Sequence, residues 1–257
     1  MTTDLFSFTT EGRLARVTLT RPAARNAMSR ALMRGLTTLA RELADRTDID
    51  VVIVTGAGPC FSAGADLKDS QAWGASASFA EQRESAMTGY KLCQAWEALP
   101  QVTIVAIEGY AVGGGLAWSL ACDWRVMADD AFVSLPEIAL GIPLTWGAIP
   151  RLVSLVGPAK AKRLTILCER VGAAEALAMG LVDELAPPGQ ALAAAERLAA
   201  RTLAMPAVAV RMSKETANAV STALYHLGGH MAHDQIALAI GSEESRAARA
   251  AALKKKA

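Results

Sequence analysis

Apolar and polar positions alternate through residues 14–20 (LARVTLT), the pattern of a strand with one buried face, and Arg21-Pro22 ends it. The apolar spacing then lengthens. Leu32, Leu36, Leu39 and Leu43 recur at helical intervals after Ser29, a residue type suited to cap a helix N-terminus. Residues 51–55 (VVIVT) are continuously apolar, as in a strand buried on both faces, and Gly56-Ala57-Gly58-Pro59 turns the chain out of it. The same grammar returns at 102–107 (VTIVAI): Glu108-Gly109 makes a turn, and Gly113-Gly114-Gly115 opens a helix through Leu116, Ala117 and Leu120. Residues 124–127 (WRVM) read as a further strand. Strands alternating with helices predict an α/β architecture.

Near Pro187-Pro188-Gly189 the texture changes, and from there the chain is Ala-rich and helical in pattern, with no convincing strand. The reading divides the chain into a core, 1–190, and a C-terminal helical segment, 191–257. The apolar stripes of that segment exceed what it can bury alone, which predicts packing on the core and on other subunits. No period of 20–50 residues marks a solenoid.

Composition narrows the classes. A chain of 257 residues, 52% apolar and 20% charged, suits one globular domain with an appendage. The net charge of +1 supplies no global field for nucleic acid or an anionic membrane, so an anionic ligand needs a local site. Cys60, Cys93, Cys122 and Cys168 form no C-x-x-C pair and fit free thiols in a reducing compartment. Met1-Thr2-Thr3-Asp4 lacks the basic then apolar pattern of a secretory signal, and no run reaches membrane-spanning length; the expected location is the cytoplasm.

The chemistry is expected at the two strand-to-glycine junctions. Residues 51–55 lead into Phe61-Ser62-Ala63-Gly64-Ala65-Asp66-Leu67-Lys68, and residues 102–107 into Gly109-Tyr110-Ala111-Val112-Gly113-Gly114-Gly115. Small residues admit close backbone approach, and free N–H groups at a helix start carry partial positive charge. Two such amides aimed at one carbonyl oxygen form an oxyanion hole; taken singly, each cluster reads first as a tight turn with close helix packing. Nucleotide-phosphate motifs fail: Phe61 stands where the third glycine of a dinucleotide fingerprint belongs. His226, His230 and His233, beside Asp234, have metal-ligand spacing, but Gly228-Gly229 interrupts their helix and no metal is expected. Cys60 and Ser62 lack any histidine in the first 225 residues, which argues against a nucleophilic triad. Asp66 and Lys68 read as a surface ion pair.

Taken together these segments resemble the crotonase (enoyl-CoA hydratase/isomerase) superfamily. The similarity runs through Arg21-Pro22, Arg25-Asn26-Ala27-Met28, residues 51–68, residues 101–115, Cys122-Asp123, residues 135–142 and residues 178–183. The resemblance implies a ClpP-like α/β fold, a superhelical core of repeated β-β-α turns with C-terminal helices that build homotrimers and dimers of trimers (hexamers). It places the oxyanion-hole amides on Ala63 and Gly114. It lines the adenine with Ala65, Asp66 and Leu67, and the pantetheine and phosphates with the segment around Arg25 and Ala27. Lys254, Lys255 and Lys256 could reach the phosphates or form a solvated end. No cofactor is implied beyond the coenzyme A of the substrate, and no nucleic acid or membrane partner.

Hydratases of that family carry two glutamates. Here the first position is Ala117; the second is Glu137. One carboxylate suffices to shift a double bond, so the first expectation is a Δ3 to Δ2 enoyl-CoA isomerase acting through Glu137. The alternatives are an enoyl-CoA hydratase with altered acid/base residues, an acyl-CoA decarboxylase or thioesterase, and a catalytically silent acyl-CoA binder. Trp146, between Pro143 and Pro150, replaces a glycine-rich loop and is expected either to shape the acyl pocket or to pack in the core.

Overall fold

The computed structural model describes residues 4–69, 78–223, 225 and 232–254. The chain begins with an antiparallel hairpin, β1 (Phe6–Glu11) and β2 (Leu14–Leu19), then a 3-10 turn at Pro22–Ala24 and α1 (Arg30–Ala44). The expected cap is present: Ser29 Oγ accepts from Leu32 N–H at 3.3 Å, and Leu32, Leu36, Leu39 and Leu43 are all buried. β3 (Val51–Gly56), α2 (Phe79–Ala86), α3 (Thr88–Glu97), β4 (Val102–Ile107), β5 (Tyr110–Val112) and α4 (Gly114–Ser119) follow. Next come β6 (Trp124–Ala128), β7 (Phe132–Ser134), a 3-10 turn at Ile138–Leu140, and α5 (Ala148–Leu167), which breaks at Gly157 before Pro158. The remainder is β8 (Val171–Gly172), α6 (Ala173–Ala178), β9 (Glu184–Ala186), α7 (Ala191–Leu203), α8 (Ala207–Ser221), α9 (Ala232–Gly241) and α10 (Glu243–Lys254).

Two sheets result. One has six strands in the order β1-β2-β3-β4-β6-β9, parallel from β2 onward; the other has the order β5-β7-β8. The short strands β5, β7, β8 and β9 carry too few residues to show a periodicity in the sequence, so their pairing is the structure's addition.

The continuous apolar runs are explained by burial on both faces. In β3 and β4, Val52, Val54, Val105 and Ile107 join the main core with α1 and α3. Val51, Ile53, Val102, Ile104 and Ala106 face the other way, under Ala191, Ala194, Ala195 and Ala199 of α7. The helical texture expected for the tail is therefore present, but its first helix completes the chain's own core. Alanines fit there because a small side chain lets the helix backbone sit close to the sheet.

The next helix is fastened to the sheet as well. Lys214 Nζ donates to the Gln101 carbonyl and to Asp123 Oδ2, both at 2.6 Å, while Asp123 accepts from Thr103 N–H at 2.7 Å. Among the described residues no helix is long and apolar enough to cross a membrane.

Candidate active site

β2, β3 and β4 run parallel, so the loops that follow them leave from one end of the sheet. Loop–loop pairings then set their register. Met28 N–H donates to the Gly64 carbonyl at 2.8 Å and Asp66 N–H to the Met28 carbonyl at 3.2 Å, so segment 63–66 lies along segment 25–28. Ser62 N–H donates to the Tyr110 carbonyl and Val112 N–H to the Ser62 carbonyl, which lays the same strip against β5. β5 in turn pairs in parallel with β7, with Val112 opposite Ser134 and Gly113 N–H on the Ser134 carbonyl at 2.9 Å. The chain beyond β7 is Leu135-Pro136-Glu137, so this register delivers Glu137 beside Gly113.

The convergence is tight. A Cβ built on Gly64 would lie 2.6 Å from the Val112 carbonyl oxygen and 3.2 Å from the Gly114 nitrogen. One built on Gly113 would lie 2.8 Å from Glu137 Oε1. Glu137 Oε2 is shielded from solvent and has no hydrogen-bond partner among the described residues. Burial pushes this carboxyl up to about 7. Glu137 of the Pro-Glu segment thus stands against the glycine junction with one carboxyl oxygen shielded and unpartnered among the described residues.

The amide donors can be accounted for singly. Gly114 is the first residue of α4, and its N–H reaches no protein acceptor among the described residues. Ala63 is different: its N–H donates to the Arg25 carbonyl at 2.9 Å. An amide already bonded within the fold is not a free donor, so the assignment of the hole to Ala63 is corrected. Two residues on, Ala65 N–H has no acceptor among the described residues, and the bonds of Gly64 and Asp66 to Met28 turn it away from that strand. The donors available at the Gly64–Gly113 contact are therefore Gly114 and Ala65.

The residues expected around coenzyme A share the two loops joined by the Met28 bridge. Arg25 and Asn26 both have left-handed backbone, with φ of 54° and 51°. Arg25 and Ala27 present carbonyls to Ala63 N–H and to the Arg21 guanidinium respectively. Asp66 pairs with Arg21 at 2.9 Å, and its other oxygen accepts from Lys68 N–H at 3.1 Å; the expected Asp66–Lys68 side-chain pair gives way to this one. Leu67 is half-buried and Lys68 exposed.

Sequence reasoning passed over the side chain that holds these loops together. Asn26 is fully buried; its Nδ2 donates to the Ala57 and Cys60 carbonyls, both at 2.9 Å, and its Oδ1 accepts from Arg21 N–H at 3.0 Å. A polar residue capable of left-handed backbone between Arg25 and Ala27 was the available signal. Of the remaining candidates, Ala117 is buried one turn into α4. His226, His230, Lys255 and Lys256 lie outside the described residues, and Asp234 pairs with Arg83 at 3.1 Å. All four cysteines are free thiols, and burial pushes Cys93 and Cys122 up to about 12, far from nucleophilic thiolates.

Fold and site together define an acyl-CoA enzyme of the crotonase superfamily. Within it, the chain belongs to the enoyl-CoA hydratase/isomerase family, whose sequence profile matches residues 9–247. It is 34% identical over 209 residues to crotonyl-CoA hydratase of Syntrophomonas wolfei, covering 81% of this chain and 79% of that one. It is 33% identical over 209 residues to short-chain-enoyl-CoA hydratase of Clostridium acetobutylicum, covering 81% and 78%. Among solved structures, an enoyl-CoA hydratase from Mycobacterium avium subsp. paratuberculosis superposes with a TM-score of 0.87 at 27% identity, covering 98% of this chain and 96% of that one. DspI of Pseudomonas aeruginosa gives 0.77 at 38% identity, covering 83% and 86%.

Proposed function

We propose that this chain adds water across the double bond of a 2-enoyl-CoA, with Gly114 and Ala65 N–H groups holding the thioester oxygen and Glu137 moving the protons. The observation that carries this reading is the Glu137 carboxyl, buried against Gly113 with one oxygen unpartnered, beside two free amides. The ionised carboxylate takes a proton from water as the water oxygen bonds to Cβ. Charge moves to the thioester oxygen, where preorganised donors need no rearrangement to receive it. The carboxylic acid so formed returns a proton to Cα, and the carboxylate is regenerated. Arg25, Ala27, Ala65, Asp66 and Leu67 border the coenzyme A in this reading.

Ala117 favours a second reading, the Δ3 to Δ2 shift. There Glu137 removes a proton from Cα of a 3-enoyl thioester and returns it at Cγ, the dienolate resting on the same two amides. That cycle needs one carboxylate and no held water.

Purified protein incubated separately with crotonyl-CoA and 3-hexenoyl-CoA, with products weighed by mass spectrometry, separates the two. We expect crotonyl-CoA to gain water, and Glu137→Gln to lower kcat by roughly 10²- to 10⁴-fold, the usual share of a general base, with acyl-CoA binding retained. Conversion of 3-hexenoyl-CoA to its 2-enoyl isomer, with crotonyl-CoA untouched, would replace the first reading by the second. Turnover undiminished in Glu137→Gln would end both.

The reading extends to assembly as a homotrimer or a dimer of trimers. It is supported by Val208, Met212 and Val220 of α8, which are 71%, 62% and 77% exposed in the single chain.

A further inference from the structure

Trp146 has φ of 61°, and Gly147 follows with 68°, two consecutive left-handed residues. An aromatic residue in that region persists only where its surroundings hold it. The holder is Arg151, which is 3% exposed. Its Nη1 donates to the Trp146 and Gly147 carbonyls, both at 3.0 Å, and its Nε and Nη2 grip the Glu97 carboxylate at 2.8 and 2.7 Å. Glu97 closes α3, so the turn is clamped to a helix of the core through a two-pronged, charge-assisted contact.

The clamp fixes where the indole goes. A Cβ on Gly89 of α3 would lie 2.0 Å from its Cε2, and a Cβ on Gly114 would lie 2.4 Å from its Cη2. The ring is therefore seated between two glycines, one of them the residue whose N–H is free for the thioester oxygen. Glu137 lies against Gly113 and the indole against Gly114, so the two side chains flank one peptide unit. An acyl group whose carbonyl oxygen sits at Gly114 N–H has to run beside that ring.

We infer that the Trp146 indole, seated between Gly89 and Gly114 on a turn held by Arg151 and Glu97, is the wall that ends the acyl pocket and confines the enzyme to short-chain thioesters. The inference rests on the acyl-CoA reading of the site. The clamp fixes the backbone beneath the ring, and close packing against Gly89 and Gly114 holds the indole itself in place against a longer chain. A rigid pocket discriminates by roughly 10- to 200-fold for each methylene group it cannot house.

The test compares kcat/KM for crotonyl-CoA and trans-2-decenoyl-CoA in the wild type and in Trp146→Ala. The decenoyl-to-crotonyl ratio is expected to rise by about tenfold or more in the variant. An unchanged ratio in a folded variant overturns the wall while leaving the hydratase reading intact. Wild-type protein inert on every enoyl-CoA would overturn the reaction instead. In that event calorimetric titration with butyryl-CoA and decanoyl-CoA, which needs no turnover, decides the wall alone: a wild-type preference for butyryl-CoA that Trp146→Ala removes upholds it, and equal affinities in both proteins refute it. If circular dichroism shows Trp146→Ala to be unfolded, Trp146→Leu, which keeps part of the apolar seat, is carried through the same comparison.

Discussion

At residue 113 two demands coincide. The backbone, with φ of 54° and ψ of −124°, occupies a region open in practice to glycine, and a Cβ there would strike Glu137 Oε1. The absence of a side chain is what lets a carboxylate stand against the start of α4 without solvent between them. That desolvation fixes the pH behaviour. Glu137 must be ionised to act as a base, and burial pushes its carboxyl from 4.5 up to about 7. kcat/KM should therefore climb with pH through about 7 and level above it; an acid limb near 4.5 would show a solvated carboxyl and refute the arrangement. The same shift has a stability sign. Because the folded state binds this proton more tightly than the unfolded chain, the associated stabilisation is complete below about 4.5 and is lost as pH rises through about 7. Glu137→Gln, which cannot ionise, should gain Tm relative to wild type at pH 8 and little at pH 5, as thermal unfolding at the two values would show.

At the scale of elements, the site is an assembly of loops whose alignment depends on a few polar contacts across long sequence separations. Asn26 reaches carbonyls 31 and 34 positions away, and the 62–63 strip is laid between the 25–28 loop and β5. Replacing Asn26 by alanine removes the partner of the buried Cys60 carbonyl, of the half-buried Ala57 carbonyl and of the Arg21 amide. We expect Asn26→Ala to lower stability by about 1–3 kcal/mol for the groups left unsatisfied, measured by urea unfolding, and to reduce kcat by at least tenfold as Ala65 drifts from Gly114. A variant as stable and active as wild type would show that the Met28 bridge alone holds the register. α1 with its Ser29 cap, the strands at 51–55 and 102–107, and the glycine-led start of α4 were all legible, because each rests on local periodicity or capping. The partners of Asn26 were not, since no local pattern records contacts over thirty residues.

On the scale of the whole molecule, α7 and α8 serve two purposes. Four alanines of α7 close the second face of the sheet, and Lys214 anchors α8 to Asp123, while Val208, Met212 and Val220 on the outer face of α8 are exposed in the single chain. If that face is the trimer contact, light scattering should give three times the chain mass or a multiple of it. The pair Val208→Asp with Met212→Asp should then yield folded monomer. A wild-type monomer at working concentration would refute the assembly. The division at residue 190 marks a change of texture in the chain, yet the hydrophobic core runs across it, because a sheet with two apolar faces has to be covered on both.

By itself the sequence determined the strand and helix alternation, the two glycine junctions, the single carboxylate left by Ala117 and Glu137, and the superfamily those features define. These are matters of residue type and order, which the chain states directly. The tertiary structure decided which backbone N–H is free. Ala63 and Ala65 lie in one strip of small residues and look alike along the chain; the Arg25 carbonyl engages the first, and the Met28 pairing turns the second outward. It also decided that Trp146 lies on Gly114, through a clamp between Arg151 and Glu97 separated by 54 positions. Hydrogen-bond satisfaction and close packing are properties of segments brought together in space, and no one segment carries them alone.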